Sequence, residues 1–263
     1  MGAARTRSEA ASRNSDRDLV AGLANGLRAI EAFSSHHKLM TVADVARQTG
    51  FTRAATRRYL LTLRAAGYAD FDGKWFQLTS RVLRLGHAYI SSVPLPQIAQ
   101  PIVEELGHKT EESIAFSVLE GAESLTIASS APRRIVGIFT RVGTHLPALS
   151  TSTGRVVLAG RTDEFIEQML RNTVVDKLTE KTKMTPAEIR EEIRRIRKQG
   201  YGLNDEEIEI GLRVIAVPVY NSASMVVAAL CVSTYAGRYK IDQLKKRFLH
   251  ELLDASHRLR RLI

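Results

Sequence analysis

The sequence predicts an α+β chain of two domains, a small, basic, mostly helical one followed by a larger one of helices packed on an antiparallel sheet. Three observations predict it. The 263 residues exceed what one small core organises and suit two. Charge is uneven: residues 1–92 hold 14 of the 38 Lys and Arg side chains but only 7 of the 28 Asp and Glu. Periodicity changes too, helical as far as residue 66 and rich in strand-like runs after 113.

A net charge of +10 suggests a polyanionic partner, nucleic acid or an anionic membrane. The single cysteine, Cys231, excludes an internal disulfide framework and a Cys-rich zinc site. The longest uncharged run, 214–237, is interrupted by Pro218 and by Asn221-Ser222-Ala223-Ser224. It therefore reads as two buried strands and a turn, and no membrane span is predicted. Residues 1–18 carry Arg5, Arg7, Arg13 and Arg17 without an apolar segment and read as a disordered arm. The chain is expected in the cytoplasm.

Residues 19–34 place Leu19, Leu23, Leu27, Ile30 and Phe33 at helical spacing, one apolar stripe. A second helix starts at Thr41, whose hydroxyl can cap it, with Asp44 as capping-box partner. Gly50 ends it in a left-handed turn. A third helix runs over 52–66 and stops at Gly67. Short helix, glycine-bearing turn and longer helix make a helix-turn-helix. On a helical wheel, Thr56, Tyr59, Leu60, Leu63 and Ala66 face the other helices, and Arg53, Arg57 and Arg64 share the opposite arc, with Ala54 and Arg58 beside them. No acid occurs between Ala46 and Ala69. Arginines suit guanine edges and phosphates, and small residues between them let the backbone approach a groove. The step Asp72-Gly73 between Phe71 and Trp75 reads as a tight hairpin, the wing of a winged helix, with Lys74 at its tip and Trp75 closing the core beneath. Thr41, Thr52, Arg53, Ala54, Arg57, Arg58 and Lys74 are the candidate contacts to double-stranded operator DNA. A linker helix follows over 80–94, and Pro94 and Pro96 mark the boundary. The expected domains are thus 19–79, the linker 80–94, and 95–263.

The runs Leu27–Ile30, Val42–Phe51, Arg57–Leu63 and Ala66–Tyr68, and above all Asn204–Val219 after Gly200-Tyr201, resemble the IclR family of bacterial regulators. The resemblance covers 18–262, with both halves in the family's order. It implies a C-terminal GAF-like effector-binding domain. Residues 131–135 and 141–147 are similar to the subgroup of PcaR, PcaU and PobR regulators of aromatic-acid and β-ketoadipate catabolism, whose effectors are small aromatic or aliphatic carboxylates.

The residues after 95 describe an α/β arrangement without that likeness. A short helix is expected over 101–109, and strands over 114–119, 125–128 and 135–140. Helices are expected over 154–159 and 164–171. Thr185-Pro186-Ala187-Glu188 combines a capping hydroxyl, proline at the first position and glutamate at the third, and starts a helix that reaches Gln199. Strands over 214–220 and 226–234 and a helix over 241–262 complete the domain.

No catalytic constellation is present: no Gly-x-Ser-x-Gly elbow, nucleotide-binding glycine fingerprint or His-Glu-x-x-His. His36 and His37 fall in a loop, and no metal or cofactor is called for. Adjacent Glu206 and Glu207 point opposite ways on an extended chain. A pocket is better supported. Ser150-Thr151-Ser152-Thr153 stand directly before a helix, where hydroxyls and free N–H groups suit a carboxylate, although one of the four would suffice as a cap. The resemblance implies that Ser152, Thr153, Asn204, Cys231 and Ser233 line the effector cavity. Arg134 or Arg141 either balances an anionic effector or is solvated at a strand end.

The sequence therefore predicts a one-component regulator without enzymatic activity, a homodimer or dimer of dimers on two half-sites, cytoplasmic and nucleoid-associated. The alternative from another class is a DNA-tethered enzyme acting on a small organic acid.

Overall fold

A computed structural model describes residues 20–34, 37–131 and 140–263. The expected arm over 1–18, Leu19, His36, Arg134 and most of the expected strand 135–140 lie outside these residues. The chain divides into two compact units, Met1–Tyr89 and Ile90–Ile263.

The first unit is built from three helices and a hairpin: α1 (Ala21–Glu31), α2 (Val42–Thr49), α3 (Arg53–Ala65), β1 (Ala69–Phe71) and β2 (Phe76–Leu78). Thr41 caps α2 in a full capping box. Its side chain accepts from Asp44 N–H, and the Asp44 carboxylate accepts from Thr41 N–H at 3.0 Å and from the Thr41 hydroxyl at 2.7 Å. Those bonds, the hydroxyl's first, hold the Asp44 carboxyl below its ordinary value. Gly50 closes α2 at φ 75°, a conformation that Cβ-bearing residues rarely adopt. Thr52 caps α3 by accepting from Ala55 N–H at 3.2 Å.

The core of this unit joins Ala29, Ala32, Met40, Val45, Leu60, Leu63, Ala69 and Phe76. Thr56 is fully buried with them, but Ala66, expected on that face, is exposed. Two expectations need correction. Leu23 and Leu27 of the predicted stripe are 67% and 44% exposed; Ala29 and Ala32 are buried in the core, with Ile30 and Phe33 of the stripe packed against it. Beneath the wing it is Phe76, not Trp75, that is buried, stacked on Phe71 with centroids 4.3 Å apart. Successive strand residues face opposite sides, so one position decides which aromatic is inside. Phe76 also exchanges backbone hydrogen bonds with Met40, which fastens the hairpin to the turn before α2. A short 3-10 turn, Ser80–Val82, leads into α4 (Leu83–Ser92), none of whose residues is buried.

The second unit opens with α5 (Pro94–Thr110). Pro94 and Pro96 therefore begin a long helix rather than precede a short one. Proline is at home in the first turn because the N–H it lacks has no partner there. A six-stranded antiparallel sheet follows, in the order β5 (His145–Pro147), β4 (Glu123–Ser130), β3 (Ser113–Glu120), β8 (Val226–Tyr235), β7 (Leu212–Tyr220), β6 (Gly202–Asp205). Three further helices, α6 (Ser152–Ala159), α7 (Asp163–Asn172) and α8 (Pro186–Gln199), precede β6, and α9 (Ile241–Arg260) ends the unit.

Helices α5 and α9 cover one face of the sheet, burying Ile102, Val103, Leu106, Phe248 and Leu252 against Ile114, Phe116, Val217 and Leu230. On the other face α6 packs through Val156 and Val157 on Ala115, Ala216, Ala229 and Cys231. Helices α7 and α8 back it through Ile166, Leu170, Ile189 and Ile193. Pro218 sits in β7 beyond the residues that pair with β6, so its missing N–H breaks no ladder bond. No helix among the described residues is long and apolar enough to cross a membrane.

Candidate functional site

Two places in the chain gather the candidate residues. In the first unit α3 presents Arg53, Ala54, Arg57 and Arg58 on its exposed side, with Thr52 exposed at its start and Thr41 half-buried at the start of α2. No hydrogen bond or ion pair occupies the Arg53, Arg57 or Arg58 guanidinium among the described residues. Arg64, by contrast, lies over the Phe71 ring at 5.7 Å, and Arg28 is held by the Thr49 carbonyl at 3.0 Å and the Phe51 ring at 4.7 Å. At the hairpin turn the Asp72 carboxylate accepts from the N–H groups of Trp75 and Lys74, at 2.7 and 2.9 Å. These bonds, that of Trp75 first, lower its pKa and fix the turn that carries Lys74, whose ammonium rests 5.1 Å from the Trp75 ring. A cationic helix face with free guanidiniums and a cationic loop tip is what a groove and its phosphates require.

The second place is a cavity between the sheet and α6. Its floor follows from strand geometry. Positions two apart share a face of a strand, and four adjacent strands each contribute such a pair: Ser124 and Thr126, Ala115 and Ser117, Cys231 and Ser233, Leu212 and Val214. Cross-strand register brings Ala115 opposite Cys231 and Val214 opposite Ser233. The opposite wall is the start of α6, Thr151, Ser152 and Thr153, with Asn204 and Ile208 beside it and Thr140 and Leu146 at the margin. No described lining residue is charged. The cavity is narrow, about 40 Å³ in volume, room for about three waters.

The hydroxyls before α6 divide the work. Thr151 is the cap, its Oγ1 accepting from Gly154 N–H at 3.1 Å. Thr153 Oγ1 pairs with Ser124 Oγ at 2.9 Å, across the cavity. Ser152 is 1% exposed, and neither its Oγ nor the N–H groups of Ser152 and Thr153 have partners among the described residues. Gly154 lets this helix start lie against the preceding loop: a Cβ there would stand 2.3 Å from the Ala148 carbonyl oxygen. The result is two N–H groups and one hydroxyl without partners among the described residues, on residues that line a cavity whose described walls are uncharged. That combination favours an anion.

Ser152, Thr153, Asn204, Cys231 and Ser233 all line this cavity. Asn204 lines it while both ends of its amide hold the protein: Nδ2 donates to the Ser150 carbonyl at 2.8 Å and Oδ1 accepts from Glu207 N–H at 3.1 Å. Burial pushes the Cys231 thiol up to about 11, so it is an inert wall rather than a nucleophile. Arg141 is exposed in a turn, outside the lining. Sequence reasoning missed the floor hydroxyls Ser117, Ser124 and Thr126, whose period-two spacing was the available signal. It also missed a buried ion pair, Arg155 to Glu207 at 2.8 Å, with side chains 0% and 3% exposed. Among the described residues no group of three or more His, Cys, Asp and Glu side chains is placed to hold a metal ion.

Comparison with known proteins yields two family models in chain order. Residues 22–73 match the IclR helix-turn-helix domain, and residues 87–261 match the bacterial transcriptional regulator IclR C-terminal domain. A Pca regulon regulatory protein of Pseudomonas putida is 40% identical over 245 residues, 93% of this chain and 84% of its own. A p-hydroxybenzoate hydroxylase transcriptional activator of Acinetobacter baylyi is 36% identical over 251 residues, 94% of this chain and 93% of its own. Among solved structures, a double mutant of the PobR inducer-binding domain from Acinetobacter, in complex with 3-hydroxybenzoic acid, is 29% identical. It superposes with a TM-score of 0.61 over 64% of this chain and 99% of its own.

Proposed function

The chain belongs to the IclR family of bacterial transcriptional regulators, and on that premise we propose that it reads operator DNA through its first unit under control of a small aromatic carboxylate held in its second. The observation that carries the effector half is the start of α6: two N–H groups and the Ser152 hydroxyl, without partners among the described residues, at a cavity with no charged side chain in its described lining. A carboxylate is the group that satisfies all three donors at once. The ring then lies over the strand floor, within reach of the Ser117–Thr126 hydroxyl pair, 3.2 Å apart, and of Ser233. The relative named for p-hydroxybenzoate hydroxylase and the domain solved with 3-hydroxybenzoic acid support an aromatic acid over other anions.

In the first unit, Arg53, Arg57 and Arg58 enter the major groove with Ala54 allowing close approach. Thr41, Thr52 and Lys74 contact the backbone on either side. Because helix-turn-helix readers pair on two half-sites, the working form is a homodimer or a dimer of dimers, in the cytoplasm and on the nucleoid. The effector then leaves the cavity unchanged, as the ligand of a regulator. A ring is larger than the space described, so binding must part the cavity walls, and that movement is what couples effector to DNA affinity.

Isothermal titration of the purified protein with 4-hydroxybenzoate and 3-hydroxybenzoate, followed by chromatography of the recovered acid, tests this. Saturable binding with the acid intact is expected. Turnover of the acid contradicts the reading, as does binding that survives loss of the Ser152 and Thr153 hydroxyls.

A further inference from the structure

Arg155 is among the largest fully buried side chains of the described residues, 0% exposed, and its Nη2 has no hydrogen-bond partner among them. It sits in the first turns of α6, where the helix dipole opposes a cation. Burying a guanidinium there is costly, and a packed apolar side chain would serve stability as well or better. What the position gains is a circuit. Arg155 Nε donates to the Leu149 carbonyl at 2.6 Å, and Nη1 donates to Glu207 Oε2 at 2.8 Å. Glu207 N–H donates to Asn204 Oδ1, and Asn204 Nδ2 donates to the Ser150 carbonyl. The Glu207 carboxylate also accepts from Lys183 Nζ at 2.5 Å, and its carbonyl from the Thr182 hydroxyl at 2.7 Å. One buried cation thus holds, directly and through two residues, the consecutive carbonyls that lead into the free N–H groups of Ser152 and Thr153. The same circuit holds the loop that brings Ile208 to the cavity.

We propose that Arg155, which does not line the cavity, is the positioning residue of the effector site: with Glu207 and Asn204 it fixes the Leu149 and Ser150 carbonyls so that the start of α6 is presented to a carboxylate. The inference rests on the carboxylate site proposed above. It assigns to the buried pair a part in affinity, by pre-organisation.

The test neutralises both partners together, Arg155→Met with Glu207→Gln, since removing one alone strands a buried charge. Binding of 4-hydroxybenzoate and 3-hydroxybenzoate is measured by isothermal titration, beside a thermal melt and the backbone amide resonances of Ser152 and Thr153. The expected result is a melting temperature near that of the parent, affinity weakened at least tenfold, and amide resonances that no longer shift with the acid. Should the double variant fail to fold, Arg155→Lys keeps the charge and cannot span Leu149 and Glu207 together; the same weakening is expected of it. Affinity within twofold of the parent in a folded variant overturns the inference and leaves the carboxylate site standing. A parent that binds neither acid refutes the site itself and the inference with it.

Discussion

Replacing Ser152 by alanine separates ligand binding from folding, because in the free protein its hydroxyl does nothing for the fold. Its Oγ has no partner among the described residues, and the cap of α6 is Thr151, whose Oγ1 takes the Gly154 N–H at 3.1 Å. Ser152→Ala should therefore leave the melting temperature unchanged or slightly higher, since a buried hydroxyl without a protein partner stabilises nothing. Thr151→Ala removes a cap worth about 1 kcal/mol, or about 2–4 °C in a unit of this size. The order reverses for the effector. A hydroxyl donating to a shielded carboxylate contributes about 1.5–3 kcal/mol, so Ser152→Ala should weaken aromatic-acid binding roughly 10- to 150-fold. Isothermal titration of the parent and both variants, with melts of the same samples, reads all four numbers. Parent-like affinity in Ser152→Ala refutes the reasoning, and so does a melting loss in Ser152→Ala equal to that in Thr151→Ala.

Three further outcomes follow from the same structure. Arg57→Ala, which removes an exposed guanidinium with no partner among the described residues, should cost about 1–3 kcal/mol at the operator and relax base preference there; fluorescence anisotropy with matched and mutated duplexes checks it. Lys74→Ala should weaken binding to all duplexes alike and reduce the slope of log affinity against log salt by about one unit. Cys231, with its pKa raised to about 11 by burial, stays protonated at any pH near neutrality. Iodoacetamide at pH 8 should leave it unmodified in the folded protein and alkylate it in urea, as intact mass would show.

Local signals were legible because their chemistry is local. The Thr41–Asp44 box, the left-handed Gly50 and the Thr185–Glu188 helix start each lie within a few residues and appear as read. Leu23 and Leu27 misled because periodicity marks an apolar face without saying what covers it. Trp75 and Phe76 were exchanged because a strand of three residues gives too little alternation to fix which side is inward. Strands β5 and β6, of three and four residues, fall below what a pattern can reveal. At the cavity, the hydroxyl cluster before α6 stood out in sequence. Its floor did not, because Ser117, Ser124, Cys231 and Val214 meet only through the order of four strands. Arg155 and Glu207 are 52 residues apart, and nothing in either neighbourhood announces the other.

The most direct test of the account is operator affinity with and without effector. Duplexes recovered by the full-length protein from a randomised pool supply the operator, and anisotropy then gives its dissociation constant in the absence and presence of saturating 4-hydroxybenzoate or 3-hydroxybenzoate. The recovered duplexes should share a sequence preference that depends on Arg57. Operator affinity should change about fivefold or more on addition of the acid, and that change should be lost in Ser152→Ala. An acid that binds and leaves operator affinity unchanged would contradict it.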